Sequence, residues 1–107
     1  MGMKRRTFDG AVAVVTGGGN GIGRALCHEL AARGARVTVA DLNGDAARVV
    51  VEAIEEAGGC ATSVELDVCD TDAFGASVKE TASHEKRMDY LFNVAGIMVT
   101  GDPSVLT

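Results

Sequence analysis

The stretch Thr16-Gly17-Gly18-Gly19-Asn20-Gly21-Ile22-Gly23 decides how this chain is read. Five of its eight residues are glycine, which loses more conformational freedom on folding than any other residue. A run this dense needs a reason. On one side lies Ala11-Val12-Ala13-Val14-Val15, a continuous apolar run that suits a strand buried on both faces of a parallel sheet. On the other, Ile22, Leu26 and Leu30 recur at helical spacing with Ala25 beside them, and Gly34 stops the helix. A helix N-terminus offers unpaired N–H groups and a partial positive charge. Glycines in front of it let an anionic group reach the backbone. Gly17 can turn the chain, Gly21 can admit a phosphate, and Gly23 can let the helix pack on the sheet. Gly19, Asn20 and Ile22 complete the candidate turn. The spacing Gly17-x-x-x-Gly21-x-Gly23 departs from G-x-G-x-x-G, and taken alone the run also fits a flexible glycine turn.

The same rhythm continues. Val37, Val39 and Ala40 form a second strand ending at Asp41. Residues 45–57 read as a second helix with Val49, Val50, Ala53, Ile54 and Ala57 on its apolar face, ended by Gly58-Gly59. Residues 61–66 form a third strand, in which Thr62, Val64 and Leu66 alternate with Ser63 and Glu65, as at a half-exposed edge. Asp70 is placed to cap a third helix that runs to about Lys86, and Tyr90 to Ala95 is a fourth strand. The order β-α-β-α-β-α-β predicts an α/β fold, a doubly wound parallel sheet with helices on both faces. Right-handed crossovers set its layout.

Composition bounds the rest. The 107 residues suffice for one small domain, and 47% hydrophobic with 23% charged residues is near the globular average. The net charge of −5 argues against nucleic acid as a partner. Lys4-Arg5-Arg6 reads as part of a flexible, solvated tail over residues 1–7. No apolar run approaches the roughly 20 residues of a membrane span, and no apolar segment follows the basic start as in a signal peptide. Cys27, Cys60 and Cys69 fit no zinc spacing. They read as reduced, mostly buried thiols of a cytoplasmic protein, with no metal expected.

Asp41 sharpens the picture. It stands 18 residues after Gly23. An acid about 20 residues past such glycines can accept hydrogen bonds from ribose hydroxyls, and it repels a 2′-phosphate. Leu42-Asn43-Gly44 brings no Arg or Lys to receive that phosphate, so NAD is favoured over NADP, with Leu42 beside the acid in the candidate site. Asp41 could instead start a turn or cap the next helix, with Asn43 and Asp45 competing for that role.

At this point the chain resembles a family. Thr16 to Gly23 looks like the TGxxxGIG fingerprint of the short-chain dehydrogenase/reductase family. Leu66-Asp67-Val68 resembles its third-strand end, and Asn93-Val94-Ala95-Gly96 resembles its NNAG element. The similarity extends over residues 8–107. It implies a Rossmann-type fold and an N-terminal, cofactor-binding part of a single NAD(P)-binding domain. It further implies that Asp67 accepts from the adenine amine, although Asp67 could also serve as an N-terminal charge for the third helix. Val68 would offer backbone groups to adenine. Asn93 would bridge the strand end to cofactor or neighbouring backbone, and Ala95 and Gly96 would keep the wall beside the ribose small. Val94 departs from the pattern, where a second Asn is usual, so that amide's support is missing.

The resemblance also implies hydride transfer between NAD(H) and an alcohol or ketone, run by a Ser and a Tyr-x-x-x-Lys pair downstream of the NNAG element. This chain's only tyrosine is Tyr90, followed four positions on by Val94. Tyr90 therefore reads as a packing residue, and His28 and His84 as surface or cap residues. The chain extends 11 residues past Gly96. It is expected to be the front part of a longer, homo-oligomeric enzyme, truncated after the fourth strand, and inactive alone. A non-catalytic nucleotide-binding module is the alternative. A methyltransferase-like protein binding S-adenosylmethionine would also use Asp41, but Thr16 and the Asn93 element fit the dehydrogenase better.

Overall fold

The strand β1 (Val12–Thr16) is buried at all five positions, as its unbroken apolar run predicts for a strand covered on both faces. The computed structural model describes residues 8–67, 70–85 and 88–94. The tail expected over residues 1–7 lies outside them, as does Cys69. After β1 come α1 (Gly21–Ala32), β2 (Arg36–Asp41), α2 (Gly44–Glu56), β3 (Cys60–Glu65), α3 (Thr71–Glu85) and β4 (Tyr90–Asn93). The strands form one parallel sheet in the order β3-β2-β1-β4. The expected α/β, doubly wound sheet is therefore present, with β3 at an edge.

Both α1 and α2 end in the same way. The N–H groups of Gly34 and Ala35 return to the carbonyls of Ala31 and Leu30, and those of Gly58 and Gly59 return to Glu55 and Ile54. These paired bonds satisfy carbonyls that the helix end would otherwise orphan. Asn43 caps α2, its side chain accepting from Ala46 N–H at 3.1 Å. Val37 and Val39 join the core that includes Leu30, Ala47, Val50 and Ile54. Thr38, between them in sequence, faces the other way into a cavity shared with Ser77 and Thr81 of α3. Helices thus cover both faces, α1 and α2 on one and α3 on the other.

Helix phase differs from expectation in two places. In α1 the buried residues are Gly23, Cys27 and Leu30, while Ile22 and Ala25 are exposed. The close seat of Gly23 against Gly17 turns that side of the helix inward and Ile22 outward. In α2, Ala47, Val50, Val51 and Ile54 are buried, whereas Val49 and Ala57 are exposed. Three consecutive valines fit two helical faces, and Ala47 decides between them. Cys60 is exposed rather than buried, because it begins an edge strand. In that strand Ala61 and Val64 are half-buried and Thr62 is exposed, so burial does not follow strict alternation. Val94 is buried and belongs to the core, so the residue replacing the usual amide contributes packing.

Candidate functional site

Parallel register brings the carboxyl ends of all four strands to one edge of the sheet. Thr16 pairs with Ala40 and with Asn93, and Asp41 pairs with Glu65. Leu66 N–H continues the ladder to the Asp41 carbonyl at 2.9 Å, which places Asp67 just beyond. The sheet grows from β1 toward β2 and β3, then returns to place β4 on the other side of β1. At such a reversal the loops leave toward opposite faces and open a crevice where ligands bind. The glycine turn, Asp41, Asp67 and Asn93 all meet this edge. Val68, Ala95 and Gly96 lie outside the described residues.

The turn is pinned to β2. Gly18 N–H donates to the Ala40 carbonyl at 3.0 Å, and Gly19 N–H donates to Asp41 Oδ2 at 2.9 Å. The other carboxylate oxygen accepts from Asn43 N–H at 2.9 Å. Asp41 therefore does start a turn, while the capping of α2 falls to Asn43. A half-buried carboxylate is left on the rim of the glycine turn.

The turn has the shape that an anionic group requires. Gly17 and Gly21 adopt φ of 69° and 52°, a region that side chains disfavour. A Cβ on Gly21 would meet nothing within 4 Å, so that position opens to the outside. A Cβ on Gly23 would sit on the Gly17 carbonyl oxygen, so only glycine lets the turn and helix meet. Asn20 stands at the N-cap of α1, but its side chain caps no N–H, and the first turn carries no acid. The donors at the head of α1 are not taken by a capping side chain. The residues present thus suit a dinucleotide's pyrophosphate and ribose. Ile22 and Leu42, at 70% and 69% exposure, flank the turn as bare apolar surface.

Asn93 is engaged by Thr16, the residue that heads the glycine motif. The hydroxyl of fully buried Thr16 reaches Asn93 Oδ1 at 2.8 Å. A buried hydroxyl ending an apolar strand was the available signal. Tyr90 makes an edge contact with Phe8 at 5.3 Å and stacks on Phe92 at 6.0 Å between ring centroids, a packing role. His28 is exposed on α1, and the His84 side chain lies outside those described. Burial pushes the Cys27 thiol up to about 12. Two cavities, of about 250 and 260 Å³, lie at the starts of β2 and β3 and beneath α3. Neither touches the glycine turn. The strand-end edge is the better site because backbone donors and a carboxylate converge there. Among the described residues, no helix is long and apolar enough to cross a membrane, and no group of three His, Cys, Asp or Glu could hold a metal.

Comparison with known proteins agrees with this geometry. A family model described as short chain dehydrogenase matches residues 11–106. Elsinochrome reductase 1 of Elsinoe fawcettii is 40% identical over 95 residues, covering 88% of this chain and 36% of that protein. A hydroxysteroid dehydrogenase structure from Escherichia coli superposes with a TM-score of 0.79 at 35% identity, over 82% of this chain and 37% of the other. A metagenomic short-chain oxidoreductase in complex with NADP gives 0.76 at 37% identity, over 78% and 38%. The chain thus spans a little over a third of the length of these proteins.

Proposed function

The chain belongs to the short-chain dehydrogenase family, and from that premise we propose that it forms the nucleotide-binding part of an NAD-dependent oxidoreductase acting on an alcohol or ketone. Residues 1–107 then belong to one domain. Gly17, Gly19, Asn20, Gly21, Ile22 and Gly23 would hold the pyrophosphate. Asp41 and Leu42 would take the adenosine ribose and its surroundings, and Asp67 with Val68 the adenine. Asn93, Ala95 and Gly96 would line the wall beside the cofactor. When bound, the nicotinamide supplies the hydride donor or acceptor. The chain's own part is to bind and orient.

The observation that carries this reading is Asp41, whose carboxylate is hydrogen-bonded into the rim of the glycine turn. No Arg or Lys follows it in Leu42-Asn43-Gly44, which is why NAD is preferred here although one relative was solved with NADP. With Tyr90 as the only tyrosine and Val94 four residues on, these 107 residues carry no Tyr-x-x-x-Lys pair and are proposed to bind without turnover. The whole protein would act on a small molecule as a homo-oligomer. Its compartment would be the cytoplasm, where unpaired thiols such as Cys27 and Cys60 persist. Calorimetric titration with NAD+ and NADP+ tests the reading. Tighter binding of NAD+, with the gap narrowed by Asp41→Ala, is expected. Equal binding, or preference for NADP+, overturns it.

A further inference from the structure

We propose that Gly19 is a positioning residue for Asp41, and that through Asp41 it sets the choice between NAD and NADP. This rests on the NAD reading above. Asp41 is held from two sides: Oδ2 accepts from Gly19 N–H and Oδ1 from Asn43 N–H, both at 2.9 Å. Such charge-assisted bonds fix a carboxylate's direction. Each oxygen retains a lone pair for a further donor, so the brace and a pair of ribose hydroxyls can share the group.

The bare Cα of Gly19 matters as much as its N–H. A Cβ there would lie 2.9 Å from Asp41 Oδ2, 2.9 Å from Ala46 Cβ and 3.2 Å from the Ala46 carbonyl carbon. Those distances are too short, so something must yield. The Ala46 side is tied into the start of α2, where Asn43 caps its N–H, and can give only slightly. The turn is fixed by Gly18 N–H on the Ala40 carbonyl. A slight shift of the backbone relieves the Ala46 contacts, whereas the Asp41 contact is relieved when its terminal carboxylate swings off Gly19 N–H, the larger movement. Any side chain at position 19 therefore displaces the carboxylate, weakening both its hold on a diol and its repulsion of a 2′-phosphate. Residue 19 governs selectivity without bearing a charge.

The test is a cycle of four forms: the chain itself, Gly19→Ala, Asp41→Ala and the double variant. Each is titrated with NAD+ and NADP+, and amide hydrogen exchange at Gly19 is followed by NMR, which also reports folding. Gly19→Ala is expected to weaken NAD+ binding about tenfold, the scale of a lost charge-assisted bond, and to leave NADP+ binding nearly unchanged. In the Asp41→Ala background it should no longer alter the ratio. Equal loss for both nucleotides, or an effect undiminished without Asp41, overturns the proposal. The Gly19 amide should exchange faster in Asp41→Ala; unchanged exchange also overturns it. Should Gly19→Ala not fold, Asp41→Glu keeps the charge but moves the carboxylate off Gly19 N–H. A narrowed ratio supports the proposal and an unchanged one defeats it. If the unaltered chain binds neither nucleotide, the NAD reading fails and the selectivity claim falls with it. Gly19 exchange then still decides whether the brace exists.

Discussion

The Thr16 hydroxyl reaches Asn93 Oδ1 at 2.8 Å, with the Phe92 carbonyl 3.4 Å away. It closes the carboxyl ends of β1 and β4 where the sheet order reverses. Thr16 is fully buried, and its hydroxyl is directed to this neighbouring strand. The bond fixes the direction of the carboxamide at the end of β4.

Thr16→Val keeps the shape of the side chain and deletes the donor. The expected cost is about 1 kcal/mol of stability, read from urea unfolding; Thr16→Ser keeps the donor but empties a buried methyl position, at a separate cost of about 0.8 kcal/mol. Indistinguishable midpoints for Thr16→Val and the parent chain would show that the bond contributes nothing.

The opposite end of the same strand pair is clasped by Asp89. Its N–H donates to the Val12 carbonyl, and its Oδ2 accepts from Val12 N–H, both at 2.8 Å. Asp89→Ala leaves a partly buried N–H without that acceptor and should cost about 1–2 kcal/mol. Asp89→Asn keeps an oxygen in place and should cost less. The same unfolding measurement separates them.

Two glycines of the turn should fail differently. In Gly23→Ala the new methyl meets the Gly17 carbonyl, a backbone clash expected to cost more than about 3 kcal/mol. In Gly21→Ala the methyl meets open space, and the cost is the left-handed backbone, about 1–2 kcal/mol. Circular dichroism melting should find Gly21→Ala folded and Gly23→Ala largely unfolded. Dinucleotide titration of folded Gly21→Ala should show reduced affinity.

The two described cysteines should report burial. Cys60 is exposed and Cys27 buried, so iodoacetamide at mild alkalinity should modify Cys60 well before Cys27. Burial raises the Cys27 thiol from 9.0 to about 12. The folded form therefore binds that proton more tightly than the unfolded form does. Its stability contribution is intact below pH 9 and declines as pH rises from 9 toward 12. Cys27→Ala should flatten that part of the stability profile, whatever it does to stability at neutral pH.

What the sequence made legible was local. Val12 to Thr16 and Gly17 to Gly23 announced a buried strand, a turn and a helix start because each signal lies within a few residues. The place of Asp41 at the end of β2 was legible because the strand–turn–helix unit has a nearly constant length. Helix phase was less so. Ile22 and Val49 belong to plausible apolar stripes, and only the seat of Gly23 on Gly17 and the burial of Ala47 turn those stripes outward. The clasps Thr16–Asn93 and Asp89–Val12 join residues 77 apart, and no periodicity encodes such a pairing. The brace from Gly19 to Asp41 was equally hidden, since it uses a backbone N–H that every residue but proline has.

The two sides of the sheet differ in kind. Under α1 and α2 lie Val37, Val39, Val50 and Ile54. Under α3 the Thr38 and Thr62 hydroxyls stand 3.4 Å apart, in a hollow shared with Ser63, Ser77, Glu80 and Thr81. Among the described residues, then, one layer is sealed by hydrocarbon, while in the other the buried Val12 and Val14 and the lining Val64 are joined by hydroxyls that water can serve as well. Regions with little apolar burial open at lower free energy than the core. Warming should therefore loosen this molecule from its hydroxyl-lined side, leaving the layer that carries the glycine turn as the last to lose its shape.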